Sequence, residues 1–368
     1  MTSHEHHHQL RNLIDNAPCE INGISLSLRP SLFDPRDFRN HLLFAAPDLA
    51  ALPRETFNRE KLPGRAKKFD QGRFGACTMA SAATGFLAKN AQDQGLYPDG
   101  GLSVRYGYAL EKNTDGNPHQ AGSDLRTDMT VCQKYGALPD SLYPYSGMTS
   151  DVDLPMPPAA LIAQGAKLKI AGYSLVLSAT DADRKALISH VTAAIAAGNI
   201  LEIGIVVCQN FMDVTGPDYA IPLPAGSILG GHALKLIDYR TMPDGTHQYL
   251  TWNTWGGRWA NNDEAWFPES WLLSQFDMSG GGNMAYYMSE VWQALDVLPP
   301  KLPTKTIALK KDNPIAIVNG KDVQIDADPG VVPTIIKNRL FLPLRFVAEN
   351  LGAQVNWEQG EEEAVIEI

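Results

Sequence analysis

Small and apolar positions run together over 77–90, CTMASAATGFLAKN, with no proline among them. That pattern predicts one helix buried on most of its sides. Gly72 and Gly75 stand just before it, as a tight turn requires. A second helix is predicted over 124–136, with Asp124 able to cap it and Gly136 able to stop it. A third is predicted over 181–198. From Leu201 onward the period changes. LEIGIVV (201–207), HALKLIDY (232–239), HQYLTWN (247–253) and EAWFP (264–268) are rich in β-branched, aromatic and alternating residues and predict strands. Near the start, INGISLSL (21–28) alternates and predicts one more strand. Pro30, Pro35 and Pro53 then punctuate an irregular, extended stretch. Four of the nine His lie in the opening SHEHHH, which reads as an exposed tail. Helices come first and strands follow, so the fold class expected is segregated α+β.

The segment LPPKLPTK (298–305) carries three Pro in eight residues. It predicts a stiff, extended connector. Beyond it IALKK, IAIVNG, DVQID, the amphipathic PLRFVAENLG (343–352), QVNW and AVIEI predict a small β-rich module with one helix. No internal repeat is visible.

A chain of 368 residues is long enough for two or three domains and for a large core without staples. The net charge of −10 argues against nucleic acid or an anionic membrane surface as partner, since both need a basic face. No stretch approaches the ~20 apolar residues of a membrane span. The first thirty residues show no basic-then-apolar secretion signal. Cys19, Cys77, Cys132 and Cys208 lack CxxC spacing, which offers no strong zinc site; four cysteines allow three full pairings.

Candidate chemistry begins at Cys77, which opens a helix behind a glycine turn. A helix N-terminus and a neighbouring imidazolium lower a thiol to about 3.5–7.5 and make it a nucleophile. A base must come from elsewhere. His232 opens a strand after Gly230 and Gly231, and Asn253 closes the next one. Two adjacent antiparallel strands bring such side chains together, with the Asn oxygen on one imidazole nitrogen and the other left for the thiol.

These residues resemble a known family. Asp70-Gln71-Gly72-Arg73-Phe74-Gly75-Ala76-Cys77 looks like the nucleophile motif of papain-like cysteine peptidases. Gly231-His232-Ala233 and Asn253-Thr254-Trp255-Gly256 look like that family's His and Asn motifs. Leu102-Ser103 with Tyr106, Gly122-Ser123, and Lys134-Tyr135-Gly136 to Tyr143-Pro144-Tyr145 keep the family's order over about residues 50–295. The resemblance implies a two-lobed fold, a helical lobe plus a β-barrel-like lobe. It implies Cys77 as nucleophile, His232 as general acid/base, Asn253 as its orienting partner, Gln71 as oxyanion donor and Trp255 as a shield over the His–Asn bond. It implies peptide or protein substrates and no cofactor or metal. The sequence departs from the pattern where Phe74 replaces a disulfide Cys, where Thr78 replaces an aromatic residue, and in a Cys77–His232 interval of 155 residues. PSLFDPRDF (30–38) is similar to the short leader of some bacterial relatives, which packs along the domain or covers the cleft.

Val318-Asn319-Gly320, Pro343 to Ala353 and Val355-Asn356-Trp357 resemble a stalk domain named after the N-terminal region of copper amine oxidases, common in extracellular proteins of Gram-positive bacteria. It implies attachment or self-association. The module holds no His and no Cys, so the preferred copper ligands are missing. The expected division is residues 1–49 as an N-terminal extension, 50–297 as the peptidase-like domain, 298–305 as linker and 306–368 as the stalk-like module. The absent signal pattern and the stalk-like module point to different locations. The function expected is peptide hydrolysis through a thioester on Cys77. Its alternatives are a non-catalytic scaffold with the same fold and a thiol acyltransferase.

Overall fold

The computed structural model describes residues 3–34, 37–44, 47–64, 66–181, 183–296, 307–318, 321–336, 339–351, 354–358 and 363–367. The chain forms two compact units, residues 1–298 and 299–368. The proline-rich 298–305 lies outside the described residues.

In the first unit the helices are α1 (Ser3–Asp15), α2 (Asn40–Leu43), α3 (Cys77–Thr84), α4 (Phe86–Asp93), α5 (Val104–Lys112), α6 (Leu125–Lys134), α7 (Ala159–Gly165), α8 (Arg184–Ala196) and α9 (Glu269–Leu273). A two-residue hairpin, β1 (Glu20–Ile21) and β2 (Ile24–Ser25), follows α1. The main strands are β3 (Gly172–Ser178), β4 (Leu201–Cys208), β5 (Ile228–Thr241), β6 (His247–Trp252) and β7 (Glu264–Pro268). A small hairpin, β8 (Gln275–Asp277) with β9 (Met284–Tyr286), precedes β10 (Met288–Leu295). The six-stranded sheet has the order β3-β10-β4-β5-β6-β7, antiparallel throughout.

Two cores flank that sheet. One gathers α3, α4, α5 and α6 residues such as Met79, Leu87, Tyr108 and Met129. The other packs α8 residues such as Val191 and Ile195 against Leu234, Tyr249 and Trp271. Each buried side chain of this size contributes about 1.5–3 kcal/mol, so the two cores carry most of the stability of the unit.

Several elements differ from expectation. The helix expected over 77–90 divides at Gly85, whose backbone (φ −112°, ψ −112°) is not helical. A Cβ there would stand 2.8 Å from the Ser81 carbonyl and 2.9 Å from Lys235 Cδ, so the break is fixed by close approach to β5. The histidine-rich opening is not an exposed tail. It forms α1, which buries Leu10 and Ile14 against Ala179, Val206 and Ala285. INGISLSL is not one strand: it yields the end of β1, a turn, β2 and then an extended strap. The helix at 124–136 stands as α6, with the Asp124 carboxylate accepting from Thr127 N–H at 3.0 Å and Gly136 at φ +72°.

Among its described residues the second unit holds a three-stranded sheet (Ile307–Ala308, Ile315–Val318, Lys321–Gln324), two hairpins and one helix, Leu344–Leu351. Ala316, Ile325 and Phe346 make its core. The strand Glu363–Glu367 pairs with Gln354–Glu358 and with no other described strand. Among the described residues no helix is long and apolar enough to cross a membrane.

Candidate active site

Cys77 is the first residue of α3, and all eight residues of that helix are buried. His232 lies on β5, and Asn253 follows directly on β6, its antiparallel neighbour. The pairing brings Asn253 Oδ1 to 2.8 Å from His232 Nε2. Nδ1 of that ring has no hydrogen-bond partner. The indole of Trp255 stacks on the imidazole at 4.8 Å and 30°. Trp255 is itself enclosed by Phe211 and Trp259. A stacked apolar face keeps water off the His–Asn bond and so strengthens it.

The Asn253–Asp263 loop is held from within. The Asp263 carboxylate accepts from the backbone N–H groups of Trp255 (3.0 Å), Gly257 (2.7 Å) and Trp259 (3.3 Å). Its own carbonyl accepts from Asn253 N–H at 2.7 Å. Asp263 thus fixes Asn253 and Trp255 together, a role with no signature in the sequence. Gln71 is buried. Its Oε1 accepts from Thr254 Oγ1 at 2.6 Å, and its Nε2 donates to the Phe74 carbonyl at 3.2 Å. Its backbone N–H donates to Thr254 at 2.9 Å. The Gln71 turn and the Asn253 loop therefore brace each other.

Behind the nucleophile lies a row of carboxyls that sequence reasoning did not single out. Thr78 Oγ1 donates to Glu111 at 2.6 Å. Asp128 is a close carboxyl neighbour of Glu111 and Glu202, and burial first, with their mutual repulsion, raises all three well above the ordinary carboxylate range. Such a row persists only with protons shared between its members. Burial also pushes Lys235 down to about 7, and its Nζ donates to Thr84 at 2.6 Å.

The site is closed. Cys77 and His232 are both 0% exposed. The cover is the strap between β2 and α2. Ser27 bridges Gly231 in parallel register, with Leu28 N–H donating to Gly231 and Gly231 N–H to Leu26, each at 3.0 Å. Arg29 N–H reaches the Ser123 carbonyl at 2.9 Å. On the other wall, Cβ atoms at Gly75 or Gly122 would collide with Ser27. The strap therefore runs between the residue before His232 and the turn before Cys77. Ion pairs clamp it, the Arg29 pair buried and the others half-buried. Arg29 is bonded to Asp115 (2.7 Å), Gln120 (3.1 Å) and the Gly122 carbonyl (3.1 Å). Arg126 pairs with Asp34 and Asp37, and Arg39 pairs with Asp181.

Closure changes the electrostatics expected from the helix terminus. Burial pushes the Cys77 thiol up to about 12, although its hydrogen bond to the Ala233 backbone works the other way. Burial likewise pulls His232 down to about 4, against the Asn253 hydrogen bond. Under the strap the pair is neutral, not an activated thiolate. All four cysteines are free.

Comparison with solved structures fits this geometry. Xylellain, a cysteine protease from Xylella fastidiosa, superposes with a TM-score of 0.58 over 75% of this chain and 97% of its own, at 22% identity. Residues 1–298 have the papain-like fold. The papain-like unit also resembles digestive procathepsin L 3 of Tenebrio molitor (TM-score 0.48, 16% identity, 71% of this chain and 76% of that one). Bromelain from Ananas comosus follows (TM-score 0.44, 17% identity, 66% and 100%). Residues 299–366 match the family model of the copper amine oxidase N-terminal domain. The residues after 306 offer neither His nor Cys and do not fit copper. No curated protein matches the chain.

Proposed function

We propose that the papain-like unit is a cysteine peptidase held latent by its own strap. The observation that carries this reading is the His232–Asn253 bond under Trp255, with Nδ1 left free beside a strand that packs on the Cys77 helix. That arrangement orients a proton acceptor and reserves one nitrogen for it.

In the uncovered site Cys77 Sγ attacks the substrate carbonyl carbon and its proton passes to His232 Nδ1. Negative charge develops on the carbonyl oxygen. The backbone N–H of Cys77 and the Gln71 side-chain amide are the donors for it. Collapse expels the amine, which takes the proton from His232 and leaves a thioester. Water, deprotonated by the same ring, then attacks that carbonyl, and the acid leaves as the thiol is reprotonated. Asn253 keeps the ring aligned through both halves. Strap departure rewets the pair and removes the burial that holds Cys77 up and His232 down, so the thiolate–imidazolium form becomes accessible. Residues 306–368 serve attachment or self-association.

The test is labelling with an epoxide thiol inhibitor and mapping of the modified residue. Cys77 takes the label in a strap-loosened chain, and Asn253→Ala slows it. Label spread over Cys19, Cys132 and Cys208 with Cys77 untouched overturns the assignment.

A further inference from the structure

The turn that delivers Cys77 has no covalent tie, since Cys19, Cys77, Cys132 and Cys208 are all free. Nor does a side chain cap α3, whose N-cap is Ala76. The first backbone N–H groups of a helix find no partner within it, so the turn decides where the Cys77 N–H points. A segment 74 and 76 residues further on brackets that turn. At one end Tyr145 Oη donates to the Gln71 carbonyl at 2.8 Å, and the Phe74 ring stands edge-on to Tyr145 at 6.2 Å. At the other end Asp151 Oδ2 accepts from Gly75 N–H at 2.9 Å.

Asp151 is itself held from the opposite cleft wall. Its carbonyl accepts from Tyr108 Oη at 3.1 Å, and Tyr108 Oη accepts from Gly122 N–H at 2.9 Å. Gly75 and Gly122 meet backbone to backbone: a Cβ on Gly75 would stand 2.6 Å from Gly122 N. Gly75, Asp151, Tyr108 and Gly122 thus close a ring around the approach to Cys77. We propose that Asp151 is a positioning residue for acylation: by holding Gly75 it keeps the Cys77 N–H and the Gln71 amide aimed at the substrate carbonyl oxygen. This deepens the peptidase reading above and rests on it.

The chemistry suits the task. A carboxylate accepting from an N–H makes a stronger bond than a neutral acceptor does. Asp151 is half-buried, and a cavity of about 480 Å³ lined by Arg73, Phe74, Ser150 and Asp151 opens beside it, so its charge is kept at little desolvation cost. Gln71 Nε2 donates to the carbonyl of Phe74, the residue before Gly75, so a shift of Gly75 moves both oxyanion donors together. The hydrogen bonds on the Cys77 sulfur come from the backbone of Ala233 and Thr78, so the thiol is seated apart from the Asp151 bond.

Two reagents on the full chain carrying Arg29→Ala, which loosens the strap, separate donors from thiol. Iodoacetamide needs only the thiol; an activated peptide ester also needs the oxyanion donors. Asp151→Ala should leave alkylation of Cys77 nearly unchanged. It should slow acylation on the order of 10²-fold with little change in KM, the scale of a donor moved off its target. Asp151→Asn keeps an acceptor oxygen and should restore most of the rate. Asp151→Ala combined with Gln71→Ala should lose little more than either alone, because both losses fall on one oxygen. Equal falls in alkylation and acylation, or losses that multiply, overturn the proposal. If Asp151→Ala does not fold, Tyr108→Phe frees the Asp151 carbonyl and should lower the same acylation-to-alkylation ratio; an unchanged ratio overturns the proposal. Amide hydrogen exchange needs no catalysis. Asp151→Ala should speed exchange at Gly75 while β4 amides keep their protection; unchanged exchange at Gly75 overturns the tether. If the Arg29→Ala chain is never acylated, the peptidase reading falls, and exchange at Gly75 still decides the tether.

Discussion

Replacing Arg29 by Ala unlocks the strap at its most buried clamp. The Arg29 side chain is 3% exposed and its partner Asp115 is 0% exposed, so salt screens the pair little. Removing one partner of a buried ion pair costs about 3–5 kcal/mol when the other charge is left alone. Here it is not left alone. Lys112 Nζ also reaches Asp115 at 2.7 Å and the Gly122 carbonyl at 2.9 Å. The loss is then nearer that of charged hydrogen bonds, about 2 kcal/mol. If it falls on strap opening, the open population rises about 30-fold, at 1.4 kcal/mol per tenfold. The assay is the rate of Cys77 alkylation in the full chain under native conditions. When reclosing is fast, that rate follows the opening equilibrium. Cys132, fully buried on the core face of α6, reports global unfolding in the same sample. Arg29→Ala should speed Cys77 labelling about 30-fold and leave Cys132 unchanged, since only the strap opens. An unchanged Cys77 rate, or a parallel rise at Cys132, would refute the strap as a separable cover.

Three further outcomes follow from the same geometry. Gln71→Ala in the strap-loosened chain should lower turnover on the order of 10²-fold with little change in KM, the scale of one oxyanion donor; full activity would move that role elsewhere. Asp128→Asn should reduce the fall in Tm between pH 5 and pH 8. The buried carboxyls hold protons in the folded chain that the unfolded chain releases above about 4, so their protonated form stabilises most at low pH and that stability is lost as pH rises. A slope identical to the parent, measured by thermal melts, contradicts the shared-proton row. Finally, a chain ending at Leu298 should fold and retain Cys77 labelling on strap opening, because residues 1–298 form their own unit; loss of the circular dichroism signal of a folded chain would contradict that independence.

Chemistry was more legible in the sequence than cover. Cys77 and Asn253 sit at element ends that patterning places well, whereas His232, expected to open its strand, stands inside β5, which begins at Ile228 and takes Gly230 and Gly231 into its ladder. The Asp124 cap was readable because a cap is a local event. The strap was not, because LSLRPS carries no periodicity, and its backbone pairs with Gly231 and Ser123, about 200 and 94 residues away. The α1 helix was hidden by its histidines; only Leu10, Leu13 and Ile14 mark its buried face. Strands β3 and β10 passed unread because GYSLVLS and MSEVWQAL do not alternate cleanly, β10 being buried between β3 and β4 with Ser289, Glu290 and Gln293 inside. The break at Gly85 follows from β5 packing on it, which no local pattern encodes.

The central claim is that Cys77 carries an acyl group during turnover once the strap opens. The direct measurement is acid quenching of the Arg29→Ala chain milliseconds to seconds after mixing with an activated peptide ester, followed by peptide mass mapping. An acyl mass is expected on the peptide containing Cys77, absent from Cys77→Ala and persisting longer in Asn253→Ala. Hydrolysis of the ester by the Cys77→Ala chain at the same rate, with no adduct on Cys77 in the parent, would contradict it.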